Sequence, residues 1–183
     1  MNEPESSAQI KVLLTSFQTW LPHQKSNSSD DLLDTIQKSN CASIANLFLL
    51  RNLPVNVEKA TYRVIKKVKQ IEPEIIVCCG MAEKRNKLTI ESNASHLDKR
   101  FYTSVNVADL VATLEITEVS NDAGKFVCEG LYYQLLKYIR AQSLNTQCIF
   151  VHVPLLSSNQ SKLIRQDFDS IICKLIGKLN LDE

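Results

Sequence analysis

Nowhere in these 183 residues does an apolar run approach the roughly 20 in succession that a membrane-crossing helix needs. An excess of charge is missing too: the net value is +1, so no global field draws the chain to nucleic acid or to an anionic membrane. The single basic run, Arg63 to Lys69, is interleaved with Val64, Ile65 and Val68 at helical spacing and reads as the solvated face of a helix. None of the cysteines stands in a Cys-x-x-Cys pair, and no Cys/His set has zinc-ligand intervals. Neither a metal nor another cofactor is therefore expected. Met1 to Gln9 are polar and acidic without the apolar stretch of a secretory signal, which predicts a flexible N-terminus on a cytoplasmic protein. In that compartment the six cysteines are expected to be thiols. Repeats, low-complexity tracts and linkers are absent from the sequence, so residues 1–183 are expected to form one domain.

What is present is an alternation of strand and helix signals, the pattern of an α/β domain. Lys11 to Thr15 reads as a central strand, apolar on both faces. Asp30 to Gln37 reads as a short helix capped by Ser28 or Ser29. Leu47 to Leu50 is a second strand, and Val57 to Ile71 a helix that ends before Pro73. Ile75 to Cys79 is a buried strand stopped by Gly80, and Leu88 to Glu91 a short extended run. Asp109 to Thr113 reads equally as a helical turn or a loop. Leu114 to Val119 is a more polar strand, placed near a sheet edge. Phe126 to Arg140 carries Val127, Leu131, Leu135 and Ile139 on one helical stripe, with Asn121 or Asp122 as the expected cap. Cys148 to Val153 is a core strand, and an amphipathic helix containing Leu163, Phe168, Ile172 and Ile176 closes the chain.

Three of these elements carry reactive side chains at their ends. Ser120 to Gly130 places Cys128 just inside a helix start, where peptide dipoles favour a thiolate. Phe150-Val151-His152-Val153-Pro154 places His152 at the end of an apolar strand, and Leu88-Thr89-Ile90-Glu91 places Glu91 at the end of another. A cysteine, a histidine and an acid are the types of a nucleophile, its base and the group that orients the base. Taken singly, a histidine in an apolar strand is most often a satisfied core residue, and Glu91 an ordinary strand-end carboxylate. Spacing alone does not assemble them.

In order and flanking sequence, these motifs resemble pyroglutamyl peptidase I, a family of cysteine peptidases. Val12 to Phe17 resembles the family's first strand and Gly-Phe turn, and Pro73 to Ala82 its Pro-Asp-Ile-Ile strand ending in Gly-x-Ala. Arg85 and Leu88 to Glu91 fall on its arginine and glutamate motif; Ser120 to Cys128 and Phe150 to Pro154 fall on its cysteine and histidine motifs. The resemblance implies a three-layer α/β/α sandwich around a mixed, mostly parallel sheet. It further implies removal of N-terminal pyroglutamate from peptides through a thioacyl-enzyme, with Cys128, His152 and Glu91 catalytic. Phe17, Trp20, Phe126, Val127 and Arg100 would bind substrate, with no cofactor, and a homo-oligomer stays open. A small neutral lactam suits flat apolar walls rather than a charged partner. Departures are visible: Ser16 and Trp20 stand in the altered first turn, Glu129 follows the cysteine, and the loop after Glu91 is short. They keep alive the competing reading of a non-catalytic or specificity-altered relative that binds a small molecule or a protein.

Overall fold

The structure, a computed structural model, describes residues 9–36, 40–157 and 159–180. Eight strands, five α-helices and one 3₁₀ helix (Asn40–Ser43) lie along it, strands and α-helices alternating except where four strands follow one another between Ile75 and Tyr102. β1 (Lys11–Phe17), β2 (Asn46–Leu53), β3 (Ile75–Met81), β4 (Leu88–Glu91), β7 (Thr117–Ser120) and β8 (Gln147–Val153) form one sheet in the order β2-β1-β3-β8-β4-β7. All neighbours are parallel except β4 and β8, which run antiparallel. β5 (Asn93–His96) and β6 (Lys99–Tyr102) make a separate antiparallel hairpin.

The central strands are apolar at every position because both faces are covered. Val12, Leu14, Ile75, Val77, Ile149 and Val151 face one way, against α1 (Ser28–Thr35), α3 (Val107–Val111) and α5 (Ser161–Leu179). Leu13, Ile76, Cys78, Cys148 and Phe150 face the other, against α2 (Val57–Ile71) and α4 (Val127–Ala141). This is the expected three-layer sandwich around a mixed, mostly parallel sheet. No helix among the described residues is long and apolar enough to cross a membrane.

Several boundaries differ from the sequence reading for local reasons. α1 is capped by Asn27, whose side chain accepts the Ser29 N–H at 3.0 Å, and not by Ser28 or Ser29; Gln37 lies outside the described residues, as do Met1 to Ala8. α4 starts at Val127 with no side-chain cap, because Asp122 Oδ1 accepts from the Gly124 N–H inside its own loop. The stretch around Asp109 is helical, its first turn capped by Asn106. β7 is at the sheet edge, as its polarity predicts. Cys78, Cys79, Cys128 and Cys148 are free thiols, whereas Cys173 is disulfide-bonded, against the expectation of thiols throughout.

The chain reverses direction across the sheet after β2: it leaves β1 on one side and returns on the other with β3. Open α/β sheets bind ligands in the crevice outside the carboxyl ends of strands at such a reversal. Phe17 ends β1 and Met81 ends β3, and both line a pocket there.

Candidate active site

Period-2 alternation puts Cys78 and Gly80 of β3, Phe150 and His152 of β8, and Thr89 and Glu91 of β4 on the sheet face beneath α4. Gly80 is in register with His152, and Thr89 with the same histidine from the other side. The antiparallel course of β4 sets Glu91 one pair deeper, opposite Phe150. From there its Oε1 lies 2.8 Å from His152 Nδ1, in a pair that is almost wholly buried. Arg85 Nη1 donates to the same oxygen at 2.6 Å. Burial works against the charge on Glu91, but His152, Ser120 on the adjoining strand and Arg85 outweigh it and hold the carboxyl down at about 2. An ionised carboxylate only accepts, so Nδ1 carries a hydrogen, and it is Nε2 that the neutral imidazole would offer as base.

Stability should follow that carboxyl. A folded-state value depressed from 4.5 to about 2 contributes stability that is complete above pH 4.5 and lost as pH falls toward 2. The loss expected over that window is about 3 kcal/mol. Urea unfolding at pH 7 and pH 2.5 measures it, and a Glu91→Gln variant should show a smaller difference. Equal differences in the two proteins would detach the effect from Glu91.

α4 brings the thiol. Its first turn lies over the open surface of Gly80, where an added Cβ would sit 2.7 Å from Cys128 Sγ and 3.0 Å from the Phe150 ring. No other residue type leaves this space. Phe150 also contacts His152, with ring centroids 4.9 Å apart, so thiol and imidazole share one aromatic floor. No hydrogen bond joins Cys128 to His152, and the sulfur rests toward Gly80. Burial pushes the thiol up to about 12, with Cys78 and Glu91 adding to the shift and Arg85 opposing it. The dipole advantage expected of a helix start is thus overridden by desolvation. Glu129 plays no part in this: its Oε1 accepts from the Ser95 N–H at 2.6 Å and hydroxyl at 2.7 Å, tying α4 to the β5–β6 hairpin.

A pocket of about 260 Å³ adjoins Cys128, walled by Phe17, Trp20, Val55, Met81 and Val127, with Gln18, Gln24 and Asn27 as polar groups. Three of the expected substrate-binding residues, Phe17, Trp20 and Val127, are therefore together there. Phe126 is beside it: its ring stacks on Trp20 at 5.2 Å and lines a neighbouring cavity with Leu97 and Tyr133. Arg100 is not brought to the pocket. It is exposed on β6 opposite Ser95, because Phe101 takes the inward position against Tyr133 and alternation turns Arg100 out. Ser16 leaves the pocket untouched, its buried hydroxyl donating to Asp30 at the start of α1. The sequence reading missed Met81, Val55, Gln24 and Glu83 in the lining: Met81 is the variable position of the Gly-x-Ala motif, and the other three lie in loops without a motif of their own. Among the described residues no cluster of His, Cys, Asp and Glu is arranged to hold a metal ion.

Comparison with known proteins finds pyroglutamyl peptidases in both sequence and fold. The sequence profile of the pyroglutamyl peptidases matches residues 98–174, a span that holds Cys128 and His152. Pyrrolidone-carboxylate peptidase 1 of Caldanaerobacter subterraneus subsp. tengcongensis is 25% identical, over 80% of this chain and 83% of its own. The pyrrolidone-carboxylate peptidase of Thermosipho africanus is 23% identical over 91% and 94%. In fold, the chain superposes on the crystal structure of pyroglutamyl peptidase I from Bacillus amyloliquefaciens with a TM-score of 0.80 at 20% identity, covering 92% of this chain and 95% of that one. Pyrrolidone carboxyl peptidase from Thermococcus litoralis gives 0.80 at 18% identity, over 95% and 96%.

Proposed function

Because the chain is a divergent relative of the pyroglutamyl peptidases, we propose that it removes pyroglutamate from the N-terminus of peptides, with Cys128 as nucleophile, His152 as base and Glu91 as the orienting acid. The observation that carries this reading is the buried 2.8 Å bond between Glu91 and His152 on the strip of sheet over which Cys128 is seated. Bound substrate draws Sγ from its place over Gly80 toward the imidazole. His152 Nε2 takes the thiol proton as sulfur adds to the carbonyl carbon that follows the lactam ring. The oxygen so charged meets N–H groups in the first turn of α4, which has no side-chain cap. When the C–N bond breaks, His152 returns the proton to the leaving amine and a thioester remains. Water, losing a proton to His152, then adds to the thioester; the C–S bond breaks, and pyroglutamate and the free thiol are released.

This route suits a thiol near 12, because the proton leaves as the C–S bond forms and no free thiolate has to accumulate. The lactam would occupy the pocket beside Cys128. At about 260 Å³ that pocket is smaller than ordinary ligand sites and suits one small ring. Its only carboxylate, Glu83, shares the lining with the cation Lys84 and is bonded by Gln24 at 2.6 Å and His23 at 3.1 Å, so an α-ammonium would meet no uncompensated negative charge. Burying an unpaired ammonium costs several kcal/mol.

Matched amides of pyroglutamate, proline and glutamine test the proposal. Pyroglutamyl amide is expected to have a kcat/KM at least about 100-fold above the other two, the ratio that about 3 kcal/mol produces. Equal rates on all three would remove the lactam pocket from the account, even with Cys128 as the nucleophile.

A further inference from the structure

Arg85 makes none of its hydrogen bonds to the pocket residues, yet it touches both halves of the proposed machinery. Nη1 donates to Glu91 Oε1, the oxygen already shared with His152 Nδ1, and also reaches Thr89 Oγ1. Nη2 donates to the backbone carbonyl of Asp122 at 2.6 Å. Asp122 belongs to the loop that leads into α4 and Cys128, and the Gly124 N–H bonded to its Oδ1 folds that loop back on itself. With no side-chain cap on α4, this guanidinium is a fixed anchor just upstream of the nucleophile. The hydrogen bonds from Arg85, Thr89 and His152 all converge on Oε1, so the direction of that oxygen decides where the imidazole points.

We propose that Arg85 is the positioning residue of this site: its planar fork fixes the Glu91 carboxylate toward His152 with one arm and holds the loop that delivers Cys128 with the other. The inference rests on the peptidase reading of the same site. A fork with two rigid arms does this and a point charge does not, because the two acceptors lie on separate elements. The groups that surround Glu91 are His152 from β8, Thr89 on its own strand, Ser120 from β7, and Tyr132 and Cys128 from α4. Arg85 is the permanent cation among them, and its charge favours the thiolate of Cys128. A salt bridge that served stability alone would affect neither the orientation of the acid nor the reactivity of the thiol.

Arg85→Gln and Arg85→Lys, compared with the unaltered full chain, carry the test through two independent readouts. The first is kcat and KM on a pyroglutamyl amide from pH 5 to 9. The second is the rate at which iodoacetamide alkylates Cys128 at pH 8, followed by mass spectrometry. For Arg85→Gln, kcat is expected to fall about 100-fold, the usual scale of a displaced catalytic group, with KM within about threefold. Alkylation is expected to slow roughly three- to tenfold because the cation that favours the thiolate is gone. Arg85→Lys should restore the alkylation rate but only part of kcat, since the charge returns without the fork. An unchanged kcat overturns the proposal. So does faster alkylation in Arg85→Gln, which would mean a loosened loop and a merely structural arginine. If the unaltered protein does not cleave the amide, the peptidase reading fails, while the alkylation comparison still judges Arg85. If Arg85→Gln does not fold, Arg85→Lys decides: a lower kcat with wild-type KM and alkylation supports the role, and a wild-type kcat removes it.

Discussion

Cys128→Ala is expected to bring the release of amine from a pyroglutamyl amide down to the uncatalysed background, a loss of at least about three orders of magnitude. The thiol is the only sulfur at the pocket apart from the thioether of Met81, and no other described cysteine has access to it. Cys78, Cys79 and Cys148 are buried within the sheet; burial raises the thiol of Cys79 well above its ordinary value, and a hydrogen bond with Cys78 together with burial does the same for Cys148. Cys128 lines the pocket, so removing its sulfur opens onto existing space and seals no cavity, and the unfolding midpoint should stay close to that of the unaltered protein. Loss of activity with a preserved fold assigns the nucleophile. Turnover that survives in Cys128→Ala, or that iodoacetamide abolishes while Cys128 is found unmodified, would move the chemistry to another group. Cys128→Ser extends the test: the hydroxyl fits the same seat but ionises far less readily, and it should be as inactive as alanine on the same assay.

Glu91→Gln is expected to be the second largest loss, about 10³- to 10⁴-fold in kcat/KM, and unlike Cys128→Ala it should also cost stability. The amide matches the carboxylate in size but offers donors as well as an acceptor. Turned one way it meets the Nδ1–H of His152 with its own N–H; turned the other way it leaves Arg85 facing a neutral oxygen. The first arrangement favours the tautomer with the hydrogen on Nε2, which removes the base; the second keeps the tautomer but leaves the imidazolium that forms in the reaction without its anion. Arg85 and His152 would then share a buried site without their anion, and losing one partner of such a pair costs about 3–5 kcal/mol. Chemical denaturation and steady-state kinetics on the same preparation measure both effects. A kcat/KM within tenfold of the unaltered protein would remove Glu91 from the mechanism.

The sequence made the central sheet legible because parallel strands covered on both faces are apolar at every position, as in Lys11 to Thr15, Ile75 to Cys79 and Cys148 to Val153. It also placed Glu91 and His152 at strand ends and Cys128 at a helix start, where the structure puts them. The β5–β6 hairpin escaped notice for the opposite reason. Asn93, Ser95, His96, Lys99 and Arg100 are polar because that hairpin packs on the flank of α4 and is not part of the main sheet; only Ala94 and Phe101 face the core. Missing it also misplaced Arg100, whose direction follows from the alternation. The cap of α4 was misread because a polar residue ahead of a helix is ordinarily its cap, whereas Asp122 here serves its own loop and Arg85. The thiol illustrates a competition of magnitudes: position in the chain announces the helix dipole, but the depth of the sulfur beneath that turn is a tertiary quantity that no local pattern encodes.

The bare surface of Gly80 gives the protein a way to trade readiness for durability. Peroxides and other soft oxidants attack sulfur in proportion to its thiolate fraction and its exposure, and a protonated thiol lodged between a glycine and a phenylalanine ring offers little of either. Oxygen atoms added to that sulfur would find the sheet side closed and would have to swing the side chain outward, so damage is resisted by shape as well as by charge. Under the proposed mechanism, the thiol is held in storage until a ring fills the neighbouring pocket. A single missing methyl group on β3 thereby lengthens the working life of a cysteine on another element.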